Sequence, residues 1–137
     1  MPLFYTDSSA LVKLVVQEPE TSALRAFLAD ADLVASELVL VEVPRAVARA
    51  SARDDDLDAR TLVDRTVMVL EAIGLHPVDR AVLVAAGRLP EPALRALDAI
   101  HVASAAILGT LGGFVTYDER QSAAARLTGL RTFAPGA

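Results

Sequence analysis

From Leu94 to Leu108 the chain reads Leu-Arg-Ala-Leu-Asp-Ala-Ile-His-Val-Ala-Ser-Ala-Ala-Ile-Leu, almost wholly apolar or small, with one carboxylate, Asp98, near its start. A surface helix would show a polar face every three to four residues, and this segment shows none, so the pattern predicts a buried helix. Burying an isolated charge is costly. The acid must therefore cap the helix, pair with a cation, protonate or hold a metal. Arg95, three residues back, is one such cation.

The chain is 137 residues long and 53% hydrophobic, which describes one compact domain, residues 1–137, with ample material for a core. The uncharged run from Ala99 to Tyr117 is long enough to raise a transmembrane question. Gly109, Gly112 and Gly113 break it, and a buried helix followed by a buried strand fits better, so no membrane association is expected. Met1-Pro-Leu lacks a basic leader and runs into a strand-like pattern. No cysteine is present, which excludes disulfide and thiolate chemistry and is compatible with a reducing cytoplasm. The net charge of −5 argues against holding nucleic acid by bulk electrostatics. Lys13 is the only lysine, however, and the remaining twelve of the thirteen cations are arginines, which leaves room for a local basic surface.

In order along the chain, Leu3-Phe-Tyr-Thr-Asp7 has strand character and ends on an acid. Ala10–Gln17 and Glu20–Ala31 read as helices, Asp32–Ser36 as a strand. Ser36 is placed to cap a helix from Glu37 to about Ala52, with Pro44 removing one donor inside it. Asp54-Asp-Asp-Leu-Asp58 is an acidic turn before an amphipathic helix over Leu57–Ile73. Leu75-His-Pro-Val78 suits an edge strand, and Asp79 caps a helix to about Leu89. Pro90-Glu-Pro92 is a loop, Gly113–Tyr117 a strand, Glu119–Leu127 a last helix and Leu130–Phe133 a closing strand. Alternating strands and helices predict an α/β fold whose parallel sheet is covered on both faces.

Ligands bind such sheets at the carboxyl ends of the strands. Two strands here, Phe4-Tyr-Thr-Asp7 and Val115-Thr-Tyr-Asp118, finish on aspartate where a helix begins. Asp98 at the start of its helix and Glu42, one turn into the helix after Ser36, can reach the same edge. Each has an ordinary reading as well: a helix cap for Asp7 and Asp118, an ion pair with Arg45 or Arg49 for Glu42. Four acids on one rim repel one another, and a hard divalent cation such as Mg²⁺ or Mn²⁺ relieves that with oxygen ligands. With two isolated histidines and no cysteine, a zinc site of the usual composition is not expected.

The ordered set of motifs resembles a family. Tyr5-Thr-Asp7-Ser-Ser with Ala10-Leu-Val-Lys-Leu, Ser36-Glu-Leu-Val-Leu-Val-Glu42-Val-Pro-Arg45, Leu97-Asp98-Ala-Ile-His101-Val-Ala-Ser104-Ala and Phe114-Val-Thr-Tyr-Asp118-Glu-Arg are similar to those of PIN-domain ribonucleases, specifically the VapC-type toxins of type II toxin–antitoxin pairs. The resemblance spans essentially the whole chain. It implies a three-layer α/β/α domain with a central, mainly parallel sheet of about five strands. It also implies an acidic quartet of Asp7, Glu42, Asp98 and Asp118, supported by Thr116 and Ser8. His101 falls where many relatives carry an aromatic residue and receives no role.

By that resemblance the activity is metal-dependent endoribonuclease chemistry using Mg²⁺, with Mn²⁺ able to substitute. Asp7 and Asp98 are the first choice for direct ligands, while Glu42 and Asp118 ligate through water or orient the nucleophile. The implied substrate is structured RNA such as transfer or ribosomal RNA. The implied partners are a second copy in a homodimer and a small antitoxin, whose flexible tail would enter the acidic groove and present an arginine.

Three other readings are weighed against this. A receiver-like signalling domain needs a paired acid at the first strand and a strand-end lysine, and Lys13 lies in a helix. A haloacid-dehalogenase-like phosphatase needs an aspartate where Ser9 stands. A non-catalytic module whose acids bind a basic partner would share the fold but show no metal-dependent turnover.

Overall fold

The computed structural model describes residues 1–137. Five strands, β1 (Leu3–Thr6), β2 (Asp32–Ser36), β3 (Gly74–His76), β4 (Gly113–Val115) and β5 (Thr132–Phe133), form one sheet in the order β3-β2-β1-β4-β5, and every pairing is parallel. Seven helices surround it: α1 (Ser8–Val15), α2 (Thr21–Leu28), α3 (Val39–Arg53), α4 (Ala59–Glu71), α5 (Arg80–Gly87), α6 (Ala96–Leu108) and α7 (Glu119–Leu127). No helix is long and apolar enough to cross a membrane.

Strand pleating explains the three layers, because successive side chains point to opposite faces. On one face Tyr5, Val34 and Phe114 pack with Val102 and Ala105 of α6 and Ala124 and Ala125 of α7. Tyr5 and Phe114 stack there, ring centroids 5.1 Å apart. On the opposite face Ala35 packs with Leu11 and Val15 of α1, Val39, Val43 and Val47 of α3 and Leu62 of α4. Phe4 and Val115 also turn that way, against Ala10, Leu24 and Leu28. The helix α6 is buried without interruption from Ala99 to Ala105, as its lack of a polar face implies.

Aspartates start four of the helices. Asp7, Asp58, Asp79 and Asp118 each accept a backbone N–H from the first turn of α1, α4, α5 and α7. Ser36 does not cap a helix. Its Oγ accepts from Leu38 N, and the helix begins only at Val39. The delay has a cause: Glu37 N donates to His76 O and Glu37 Oε1 accepts from Val78 N, which carries the pairing with the edge strand one residue past β2. Pro44 is accommodated inside α3, which continues to Arg53.

The order of the strands sets the place of the site. From β1 the chain moves outward to β2 and β3, then returns across the sheet through α5 and α6 to β4 on the other side of β1. The carboxyl ends of β1 and β4 thus flank the point where the winding reverses, the usual ligand position in such sheets. The register Thr6↔Val115 puts Asp7 and Thr116 side by side there.

Candidate active site

Asp7, just beyond β1, has no exposed surface. Its Oδ1 accepts from Ala10 N at 3.1 Å and from Ser9 Oγ at 2.7 Å, and its Oδ2 accepts from Thr116 Oγ1 at 2.6 Å. Burial raises the carboxyl above its ordinary pKa, and the donors from Thr116, Ser9 and Ala10 offset only part of that. The side chain is a desolvated acid held by neutral partners.

Thr116 extends the network, because the oxygen that donates to Asp7 also accepts from Asp118 N at 3.0 Å. Asp118 Oδ1 receives the two backbone N–H groups of Arg120 and Gln121. Gln121, buried in α7, donates its amide to Asp98 Oδ1 at 2.9 Å. Asp98 lies inside the first turn of α6, not at its cap, and its other oxygen takes Arg95 Nε at 3.4 Å. The cation expected from the sequence is therefore present, although Arg95 is largely exposed and the pair contributes little to stability.

Asp98 and Glu42 line one cavity of about 320 Å³. Glu42 does not pair with Arg45 or Arg49, the ordinary alternative. Its Oε1 accepts from Ser8 Oγ at 2.6 Å and from His101 Nε2 at 2.6 Å. Burial pushes the Glu42 carboxyl up, but the hydrogen bonds from His101 and Ser8 outweigh it and hold the pKa below the usual value. Ser8 is the neighbour of Asp7, which closes a ring: Asp7, Thr116, Asp118, Gln121, Asp98, the shared cavity, Glu42, Ser8. The four acids sit around one rim, each linked to the next by a single bridging side chain or a common wall. They do not form a ready-made ligand cluster, since no three acidic or histidine side chains converge closely enough to hold a metal ion.

The donor set itself suits a hard divalent cation. It offers carboxylates from Asp7, Glu42, Asp98 and Asp118 and hydroxyls from Ser8 and Thr116, with no sulfur. Glu42 Oε2 and Asp118 Oδ2 accept no protein donor, and the desolvated Asp7 carboxylate is the group that a nearby cation would relieve most. In this arrangement Asp7 and Asp98 have both oxygens engaged, each with lone pairs left over.

His101 is the residue that sequence reasoning passed over. It is fully buried, with Nδ1 2.8 Å from Tyr5 Oη and Nε2 against Glu42. Tyr5 Oη accepts from Ser36 N at 3.1 Å, so its only hydrogen is free to donate to Nδ1. With Nδ1 held by Tyr5, the other ring nitrogen, Nε2, donates to the Glu42 carboxylate. Burial also drives the Tyr5 phenol well above its ordinary pKa, which keeps that proton in place. The signal was available in principle: His101 follows Asp98 by three residues and so shares a helix face with it.

Comparison with known proteins places this geometry in context. The family model described as the PIN domain matches residues 4–127. Ribonuclease VapC46 of Mycobacterium tuberculosis is 43% identical over 137 residues, covering 98% of this chain and 99% of that protein. Ribonuclease VapC47 of the same species is 38% identical, with 98% of each chain covered. Among solved structures, VapBC2 from Rickettsia felis bound to a promoter DNA fragment has a chain that superposes with a TM-score of 0.68 at 12% identity, covering 96% of this chain and 97% of that one. The Mycobacterium tuberculosis toxin VapC20, described as cleaving the sarcin-ricin loop, gives a TM-score of 0.67 at 19% identity, covering 88% of this chain and 94% of that one. At those identities the structural matches speak to the fold alone.

Proposed function

The chain belongs to the PIN-domain family, among its VapC ribonucleases, and from that premise we propose that it is the endoribonuclease toxin of a toxin–antitoxin pair whose RNA hydrolysis depends on Mg²⁺, with Mn²⁺ able to substitute. The observation that carries the reading is the closed ring of Asp7, Glu42, Asp98 and Asp118 at the point where the sheet's winding reverses. Asp7 and Asp98 are assigned as direct metal ligands, with Glu42 and Asp118 completing the set or orienting the attacking water. A cation bound there supplies Lewis acidity toward water and neutralises charge on the phosphodiester.

The protein's own groups do the rest. Thr116 and Ser9 hold the Asp7 carboxylate in one orientation, and Gln121 does the same for Asp98. His101 and Ser8 both occupy Glu42 Oε1, which leaves Oε2 without a protein donor and free to orient a water. The lowered pKa of Glu42 keeps it ionised, as holding a cation or orienting a water requires.

In this reading residues 1–137 act as one nuclease unit, working as a homodimer in the cytoplasm on a structured RNA such as transfer or ribosomal RNA. A cognate antitoxin silences it. The toxin–antitoxin complexes from Rickettsia felis and Klebsiella pneumoniae support such a partner.

The test is Mn²⁺ titration of wild type and Asp98→Asn, by calorimetry and by cleavage of total cellular RNA, with melting curves to establish folding. Wild type should bind Mn²⁺ and cut RNA only in its presence. Asp98→Asn should fold, bind the ion more weakly and lose cleavage by at least about a hundredfold. A wild-type chain that folds, shows no metal-dependent RNA termini and instead captures a basic partner would replace the enzyme with an interaction module.

A further inference from the structure

We infer that the groove running from the acidic rim along α3 is the path of an RNA strand, with Arg45 and Arg49 holding its phosphates. The inference deepens the ribonuclease reading and rests on it for the identity of the strand. Glu42 lies in the first turn of α3, and Arg45 and Arg49 follow at three and seven residues, on the same helix face. All three line a cavity of about 640 Å³ that also takes in Ser8 and Ser9, the hydroxyls that touch Glu42 and Asp7. The groove thus takes in Glu42 of the rim together with the two guanidinium groups, and Glu18, which also lines it, is held by Lys13.

Those guanidinium groups are available. Both arginines are exposed and neither is within ion-pair distance of an acid, Glu42 included. The remaining cation of the groove, Lys13, is not available in the same way. It is bridged to Glu18 and Glu20 and sits 4.7 Å from the centre of the Tyr117 ring.

A ligand for this surface must bring negative charge to the arginines and a reacting group to the rim. A phosphodiester strand does both, since its charges repeat along its length. Arg45 and Arg49 are spaced by about 6 Å along the helix axis, and guanidinium forks match phosphate oxygens in pairs. A chain of net charge −5 repels RNA in bulk, so productive approach requires a local site of this kind.

The experiment measures binding of a fluorescein-labelled, mixed-sequence 20-nucleotide RNA by anisotropy over a range of salt concentrations. An Asp98→Asn background with Mg²⁺ present keeps the strand intact. Arg45→Gln plus Arg49→Gln should weaken binding on the order of tenfold at moderate salt and make the log–log salt dependence shallower by about 1.4, two phosphates' worth on a single strand. Arg80→Gln, at the start of α5 away from the groove, should change neither. Equal affinity and slope in the double variant would overturn the inference, as would an equal loss in Arg80→Gln, which would mean a diffuse field. It would also fall if RNA binding persisted while the double variant lost affinity for a poly-glutamate peptide, because the groove would then take an acidic protein segment. If wild type cuts no RNA with Mn²⁺ yet the arginine dependence holds, the ribonuclease reading fails and the groove stands as a nucleic-acid site.

Discussion

His101 Nε2 donates to Glu42 Oε1 across 2.6 Å, joining α6 to α3 over 59 positions of sequence. The ring is held from its other side by Tyr5 Oη, 2.8 Å from His101 Nδ1 and itself accepting from Ser36 N. Removing the imidazole frees Glu42 to turn, and groups that orient active carboxylates are worth about 10–100-fold in activity. His101→Leu should lower the RNA cleavage rate by that amount. Gln at position 101 can return an N–H donor near Glu42, so His101→Gln should recover part of the loss. Initial rates with melting curves decide it, and equal rates for Leu and Gln would mean that His101 merely fills space. Tyr5→Phe strands Ser36 N–H and His101 Nδ1 in the core and should cost about 1–3 kcal/mol in urea unfolding.

Asp7 makes folding pH-dependent in a direction that is unusual for an aspartate. Its pKa is raised in the fold by burial, so the fold prefers the protonated form. The sign follows from linkage: the favourable contribution is complete below the ordinary value of 3.8 and is lost as the pH rises through the raised, folded-state value. At pH 7 without divalent ions, Asp7→Asn should therefore melt above wild type, and the gap should close as the pH falls toward 3.8. Adding Mn²⁺ should raise the wild-type melting temperature more than that of the Asn variant. Thermal melts by circular dichroism from pH 3.5 to 8 provide the check, and an Asn variant that melts below wild type across the whole range would contradict the account.

Features written in neighbouring residues were legible without coordinates. The strand Asp32–Ser36, the helix Glu119–Leu127 and the Asp79 cap stand as their local patterns imply, because strand period and cap chemistry act over a few positions. The burial of α6 was legible for the same reason. What escaped the sequence depends on partners far away in the chain. Glu42 had Arg45 and Arg49 within reach on its own helix, yet it takes Ser8 and His101, which lie on two other helices. Ser36 lost its role as a helix cap to an edge-strand pairing at Glu37 that local pattern does not contain. His101 looked like one more core residue until Tyr5 and Glu42 were placed on either side of it. The links between the acids through Thr116, Gln121 and Ser8 likewise join segments far apart in the chain and had no local signal.

Gly113 opens β4 and lies against Phe133 of the edge strand β5. A Cβ there would lie 2.3 Å from the nearest ring atom of Phe133 and 3.1 Å from Arg131 O. The ring has little room to yield, because Phe133 packs against Phe4 and Phe27 at centroid distances of 5.8 and 5.0 Å. Gly113→Ala must therefore displace the aromatic cluster or spread β4 from β5, and overpacking of that kind costs about 1–3 kcal/mol. Spreading would also move Thr116, the residue that joins Asp7 to Asp118, so cleavage should fall together with stability. Shortening the clashing side chain separates the two causes. Phe133→Leu combined with Gly113→Ala should be less destabilising than the sum of the single changes, measured by urea unfolding as a double-mutant cycle. Strict additivity would show that the ring and the missing Cβ do not meet.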